Sequence, residues 1–185
     1  MKIEEYQKEA YKRLNPAIAN NPKERMNYTC MGVIEETGEV IAELRKAFYK
    51  GNFHERKLNK TAIEEECGDL IWYLLLICKN RGICIETSPK KTDSSIDSKG
   101  TDKMIEQSIK LGVESSKIVE GYIQAENGKM DNEELKEKIT TQIHSIEEFL
   151  RGLDIELEET LGLNMEKINK RYDEEGTAIK GNEGR

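Results

Sequence analysis

The chain has 185 residues, of which 36 are acidic and 29 basic, so its formal net charge is −7. A general nucleic-acid-binding protein carries a basic face, which this charge balance argues against. It does not argue against a phosphate-bearing small molecule whose charge is offset by a metal ion. Only three prolines and 35% charged residues favour long soluble helices. The length suits one domain with its own core, or two tightly joined halves.

Cysteine usage and hydropathy indicate the compartment. The four cysteines form no CxxC pair and have no histidine at metal-ligand spacing. A reducing compartment suits them better than a disulfide framework does. No segment reaches 18 apolar residues, and the N-terminus lacks a signal-peptide pattern. We therefore expect a cytoplasmic protein with no membrane partner.

The first half is predicted to contain three helices. A short helix at Ile3–Leu14 is closed by Asn15-Pro16, and a long helix starts near residues 22–24 and runs to about Tyr49, ended by Gly51. The third helix runs from about residue 61 to 81. Thr61 is its predicted N-cap and Gly82 its C-cap.

The second half follows a polar stretch that has no apolar period. Helices are predicted near Met104–Glu126, Asn132–Arg151 and Ile155–Tyr172. The predicted fold class is therefore all-α, a helical bundle. Its divisions are a first helical half at 1–87, a polar linker at 88–103, a second helical half at 104–172 and a flexible tail at 173–185.

Two acidic clusters with the same helical step are the most informative feature. Glu35, Glu36 and Glu39 lie in VIEETGEVIAEL, and Glu66 and Asp69 lie in IEEECGDLIWYLLLIC. Residues three apart share one helix face. The second cluster runs directly into nine apolar residues, which indicates a buried helix. Its carboxylates must therefore be paired with basic groups or coordinate a cation, and an all-oxygen cage suits Mg²⁺ or Mn²⁺.

A stripe on the long helix adds basic residues to the acidic ones. Lys46 and Lys50 follow Glu36 and Glu39 on the same face. Carboxylates that bind a metal, next to lysines that bind phosphate, would suit a nucleoside triphosphate. The lysines would neutralise the negative charge that develops on the leaving group. An exposed ladder of Glu–Lys pairs has the same pattern, so both interpretations stay open.

The chain also contains a faint internal similarity. MGVIEETGEVI at 31 resembles LGVESSKIVEG at 111, and RGICIE at 81 resembles RGLDIE at 151. The acidic positions are lost in the second copy. Either helical sequences of this composition match by chance, or the chain holds a degenerate internal repeat.

The acidic clusters, with their flanks, resemble a known family. EExxE, a gap of 26 residues and then ExxD is similar to the signature of the MazG-like all-α NTP pyrophosphohydrolase superfamily. EYQKEA near the start, KAFYKGNFHERKLNKTAIEEECGDLIWYL in the middle and LNMEKINKRY at 163–172 also resemble it, together covering about half of the chain. The departure is at about 87–150, where the family's short form has only a turn. A fused pair with a degenerate second copy would be similar to the dimeric dUTPase branch.

The resemblance implies an activity and a site. The activity is Mg²⁺-dependent hydrolysis of a nucleoside triphosphate to the monophosphate and diphosphate, in a homodimer that serves nucleotide-pool house-cleaning. The implied metal ligands are Glu36, Glu39, Glu66 and Asp69, and Glu35 or Glu65 would orient the attacking water. The implied substrate-binding residues are Lys46, Lys50, Tyr73, Asn164, Lys167 and Arg171.

Two other interpretations compete with the enzyme. The bundle would be non-catalytic, an assembly or regulatory module, if its acids formed salt bridges to lysines. A di-iron bundle requires ExxH motifs, and the sequence contains none. Trp72 suits core packing better than base stacking. Cys67 suits packing too, and His54 and His144 have no ligand pattern.

Overall fold

The computed structural model describes residues 1–49, 58–86, 100–173 and 176–179. Within these ranges the fold is all-α, as predicted, and contains seven α-helices and no strand. The helices are α1 (Ile3–Ala10), α2 (Pro16–Ala19), α3 (Pro22–Tyr49), α4 (Lys60–Arg81), α5 (Thr101–Glu126), α6 (Asn132–Gly152) and α7 (Leu157–Arg171). In the described ranges, no helix combines the length and apolar character needed to cross a membrane.

Helix ends correct several predicted boundaries. The predicted helix Ile3–Leu14 ends as an α-helix at Ala10 and continues as a 3₁₀ turn. Asn15-Pro16 starts a helix rather than closing one, because the Asn15 side chain accepts a hydrogen bond from the Ala17 backbone N–H and proline occupies the first helical position. The N-cap of α4 is Asn59, not Thr61, since the Asn59 side chain accepts from the Ala62 backbone N–H.

Three further boundaries shift by a few residues. Helix α5 begins at Thr101, three residues before the predicted Met104, and α7 spans Leu157–Arg171 instead of Ile155–Tyr172. The C-cap prediction at Gly82 is confirmed, because Gly82 has φ 67°, the left-handed conformation that glycine adopts without steric cost. Predictions for Lys50, Gly51, His54 and most of the linker lie outside the described residues, as do tail positions 174–175 and 180–185.

Helix α4 forms the centre of the bundle. Its residues Leu70–Cys78 are buried except for Trp72 and Tyr73, which are half-buried. Helix α3 packs along one side of α4, and α7 and α6 pack along others. Each fully buried leucine or isoleucine here contributes about 1.5–3 kcal/mol relative to an exposed one. The predicted buried helix is therefore confirmed, and its acidic residues lie next to α3 and α7.

The second helical pair completes the bundle. Helices α5 and α6 pack on each other, and α5 also packs along α3. The Thr37 and Ser115 hydroxyls are hydrogen-bonded at 2.8 Å across the α3–α5 contact. Part of the predicted flexible tail packs on the rest of the protein. Tyr172 and Ala178 form an isolated antiparallel bridge, and Gly176 is buried against the Leu14 backbone.

Candidate metal and nucleotide site

Three carboxylates from α3 and α4 converge beside α7. Oxygens of Glu36, Glu39 and Glu66 all lie within 4.8 Å of one another. Within the described part of the chain, none of the three forms an ion pair with a lysine or arginine. Carboxylate oxygens this close repel each other, so the arrangement favours either protonation or a bound cation.

The pKa values of these acids reflect that repulsion. Burial first, and then the charges of Asp69, Glu66 and Glu39, raise the pKa of Glu36 to about 8. Burial, followed by Glu39 and Asp69, raises the pKa of Glu66 to about 7, although Lys167 opposes this shift. A divalent cation would replace the protons and lower both pKa values. The site is therefore poised to exchange protons for a metal near neutral pH.

The donor set fits a hard divalent metal. All three groups offer carboxylate oxygens, the ligand type that Mg²⁺ and Mn²⁺ prefer. One ion can touch all three because they lie within 4.8 Å. No cysteine or histidine belongs to the cluster, which argues against a soft-metal site.

Asp69 lies at the edge of the cluster and already has two partners. The Lys167 Nζ lies 2.5 Å from Asp69 Oδ2 and 2.5 Å from Glu65 Oε1. The Asn164 side-chain amide donates to Asp69 Oδ1 at 2.5 Å. Burial alone would lower the pKa of Lys167, but the hydrogen bonds to Asp69 and Glu65 outweigh it and raise that pKa. Helix α7 therefore supplies the positive charge next to the acids.

An aromatic group borders the same acids. The Tyr73 hydroxyl donates to the Tyr28 hydroxyl at 3.2 Å, and the Trp72 ring meets both tyrosine rings edge-on or nearly so. Burial raises the pKa of Tyr73, and the nearby charges of Glu36 and Asp69 raise it further. The indole Nε1 of Trp72 is enclosed and has no protein partner in the described ranges. The site thus combines carboxylates with an aromatic wall.

Gly32 allows the Tyr73 ring to pack closely against α3. A Cβ atom at Gly32 would lie 2.2–2.4 Å from three ring atoms of Tyr73. Only glycine therefore lets the Tyr73 ring rest against the backbone of α3. Gly68 has a similar role on α4, because its added Cβ would lie 2.9 Å from the Asn164 Cβ.

The remaining predicted residues lie apart from the carboxylates or are exposed. Lys46 pairs with Glu43 at 2.5 Å on the same helix, and its predicted contact with phosphate stays a prediction. Arg171 is exposed at the end of α7, and Glu35 is exposed beside Glu36. His144 is half-buried, and Cys67 is fully buried as its packing role predicts.

Two residues at the site were not among those predicted from the sequence. Tyr6 on α1 donates to Asn164, and Tyr28 contacts Tyr73. Tyr6 lies 158 residues from its partner, and single tyrosines carry no spacing pattern. The only available signal was the position of Tyr6 on the apolar face of the opening helix, which predicts core packing as readily as a polar contact.

Comparison with known families identifies one match. Residues 25–92 match the family model of the MazG nucleotide pyrophosphohydrolase domain. The resemblance to the MazG-like superfamily is thereby confirmed for this segment, which is well under half of the chain and contains most of α3, all of α4 and the three clustered glutamates. Comparison with curated proteins and with solved structures finds no match.

Proposed function

We propose that the protein is a divalent-metal-dependent nucleoside triphosphate pyrophosphohydrolase. The observation that carries this proposal is the group of three carboxylate oxygens within 4.8 Å, in a segment similar to the MazG nucleotide pyrophosphohydrolase domain. The reaction is (d)NTP plus water giving (d)NMP plus diphosphate, with cleavage between the α- and β-phosphates. Its role would be nucleotide-pool house-cleaning, and Mg²⁺ or Mn²⁺ would be the metal.

The residues have separate tasks in this proposal. Glu36, Glu39 and Glu66 hold the metal, and Asp69, at the edge of their cluster, is the fourth ligand. When bound, the metal supplies Lewis acidity toward the phosphates and lowers the pKa of water. Lys167 places positive charge next to Asp69, within reach of a phosphate that arrives at the acids.

Water orientation and nucleoside contact fall to the flanking residues. Glu65 is already paired with Lys167, so Glu35 is the better candidate to orient the attacking water. Tyr73 and Trp72 offer apolar faces next to the acids, which suits a nucleoside. The role of Lys46 at phosphate stays a prediction; in this structure its ammonium group pairs with Glu43.

The non-catalytic alternative explains only part of the site. It requires the acids to be neutralised by lysines, and the contacts of Lys167 with Asp69 and Glu65 have that form. It does not account for Glu36, Glu39 and Glu66, which lie together without a basic partner in the described ranges. A purely structural cluster of this kind would destabilise the bundle.

A diphosphate-release screen tests the proposal. Purified protein is incubated with canonical and damaged (d)NTPs in Mg²⁺ or Mn²⁺, and both products are measured. Glu39→Gln and Asp69→Asn should lower the rate below about 1% of wild type, since removing even an outer-sphere partner of a metal typically costs 10–100-fold. Glu43→Gln, on the same helix but paired with Lys46, is the matched control and should stay within two-fold. Absence of diphosphate across the whole panel would refute the proposal.

The homodimer stays a prediction. Light scattering on the purified protein distinguishes one chain from two, and a monomer that retains full activity would contradict it.

A further inference from the structure

A chain of hydrogen bonds joins α1, α7 and α4 behind Asp69. The Tyr6 hydroxyl donates to Asn164 Oδ1 at 2.5 Å, and Asn164 Nδ2 donates to Asp69 Oδ1 at 2.5 Å. The exposed fractions of Tyr6 and Asn164 are 0% and 3%. Water therefore has little access to either partner.

Asp69 and Tyr6 together hold the asparagine amide in one orientation. An amide has one accepting and one donating end, and a flip exchanges them. If Asn164 were flipped, its carbonyl oxygen would face the Asp69 carboxylate, and two acceptors would be in contact. Burial raises the pKa of Tyr6 well above its usual value, so the hydroxyl keeps its proton and stays a donor. The carboxylate thus sets the observed orientation of the amide, and the Tyr6 hydroxyl holds it by donating to the Oδ1 end.

The packing leaves Asn164 little freedom to serve another ligand. An added Cβ at Gly68 would lie 2.9–3.2 Å from three atoms of the Asn164 side chain, so α4 and α7 are in direct contact there. Both polar ends of the Asn164 amide are engaged by protein groups. These contacts do not suit the phosphate contact that the family resemblance implied for Asn164.

We infer that Tyr6 and Asn164 are positioning residues that hold the Asp69 carboxylate for the divalent metal. Each carboxylate oxygen has more than one acceptor site, so Asp69 can accept from Asn164 and still face a cation. Partners of this kind orient metal ligands and raise metal affinity. The inference rests on the proposed function for the assignment of Asp69 to the metal.

The first test is metal binding without nucleotide. Mn²⁺ affinity is measured by titration with electron paramagnetic resonance detection for wild type, Tyr6→Phe and Tyr122→Phe. Tyr122 is the matched control, because it is also buried and its hydroxyl accepts from the Asn80 side-chain amide at 3.1 Å. Tyr6→Phe should weaken Mn²⁺ binding roughly 10-fold or more. Tyr122→Phe should leave the affinity within two-fold of wild type.

The second test separates positioning from general destabilisation and from phosphate binding. Raising Mg²⁺ should restore the kcat of Tyr6→Phe, and its KM for the nucleotide at saturating Mg²⁺ should match wild type. If Asn164 instead bound phosphate, Asn164→Ala would raise KM even at saturating Mg²⁺.

The outcomes distinguish this inference from the proposed function. Unchanged Mn²⁺ affinity in Tyr6→Phe, or equal losses in Tyr6→Phe and Tyr122→Phe, would overturn the positioning role and leave the hydrolase proposal intact. Conversely, selective loss of Mn²⁺ affinity in Tyr6→Phe would support the positioning role even if the wild type released no diphosphate. A wild type that bound no Mn²⁺ would overturn the positioning role.

Discussion

The two helical hairpins of this bundle, α3–α4 and α5–α6, differ in the partners of their polar side chains. In α3–α4, Glu36, Glu39 and Glu66 lie together without a basic partner in the described part of the chain. In α5–α6, Gln142 Nε2 donates to Ser115 Oγ at 2.9 Å and to the Leu111 carbonyl at 3.1 Å. The three clustered acids of the first hairpin thus lack a basic partner in the described ranges, whereas the Gln142 amide nitrogen of the second is paired with oxygens of α5.

Within the described residues, the acidic cluster belongs to the first hairpin, and the second hairpin can be compared with it position by position. The internal sequence similarity aligns Gly32 with Gly112 and Glu35 with Ser115. Helices α3 and α5 pack on each other, so the aligned segments meet in one bundle. After α6, Leu153 and Ile155 are buried as Ile83 and Ile85 are after α4, but the positive φ falls at Asp154 in one turn and at Gly82 in the other. The degenerate repeat stays a prediction.

The largest difference between the hairpins is expected at the aligned glycines. Gly32→Ala would push a Cβ to 2.2–2.4 Å from the Tyr73 ring, whereas Gly112→Ala would meet only the Ile41 Cδ1 at 3.1 Å. Overpacking against a rigid ring costs about 1–3 kcal/mol, and we expect the upper end for Gly32→Ala. For Gly112→Ala, a gain in helix propensity of about 1 kcal/mol offsets a small shift of a flexible methyl group.

Urea unfolding measures both free energies, and Trp72 fluorescence reports on the aromatic wall. Gly112→Ala should stay within about 1 kcal/mol of wild type. Equal losses for the two variants would show that the Tyr73 ring can move aside at little cost, and that the aligned glycines do not differ as their contacts suggest.

A second expected difference is the dependence of stability on pH. The folded pKa values of Glu36 and Glu66 are about 8 and about 7, raised from 4.5. Because the folded state binds more protons between those values, stability is fully present below pH 4.5 and is lost as pH rises through 7 and 8. The metal-free protein should therefore melt at lower temperature at pH 8.5 than at pH 6.

Thermal melts in EDTA at the two pH values measure this difference. Glu36→Gln should reduce the decrease in melting temperature between pH 6 and pH 8.5, because it removes the group with the higher pKa. Glu114→Gln is the matched control in the second hairpin, where Glu114 pairs with Lys110 on the surface, and it should keep the wild-type slope. An unchanged slope in Glu36→Gln would mean that the clustered carboxylates do not repel each other in solution.

The sequence predicted the helices well where local patterns dominate. The apolar run Leu70–Cys78 and the glycine at 82 defined α4 and its C-terminal end, and the structure has both. The acidic spacing also predicted that Glu36, Glu39 and Glu66 would meet, although nothing in the sequence gave their distances. Asn15-Pro16 misled the prediction, because an asparagine followed by proline suits both the end of one helix and the start of the next.

Contacts between distant helices could not be predicted. Asn164 was assigned to phosphate because a sequence shows that an amide is on the closing helix, but not which groups already occupy it. For Lys46, the helical stripe left open whether it serves phosphate or a Glu–Lys pair, and it could not reveal the ion pair with Glu43. The need for glycine at 32 and 68 could be recognised only from the structure, in which Tyr73 packs on the first and Asn164 on the second.

The smallest effect should come from the polar contact that joins the two hairpins. Ser115→Ala removes one partner each from Thr37 and Gln142, but Thr37 still donates to the Val33 carbonyl and Gln142 to the Leu111 carbonyl. Thr37 keeps an acceptor, but one N–H of the buried Gln142 amide loses its own, so the cost should be about 1–2 kcal/mol in unfolding free energy. The rise in melting temperature on adding Mg²⁺ should equal that of wild type. A smaller rise would show that Ser115 helps to shape the carboxylate site across the α3–α5 contact, and the second hairpin would then contribute to metal binding and not only to the core.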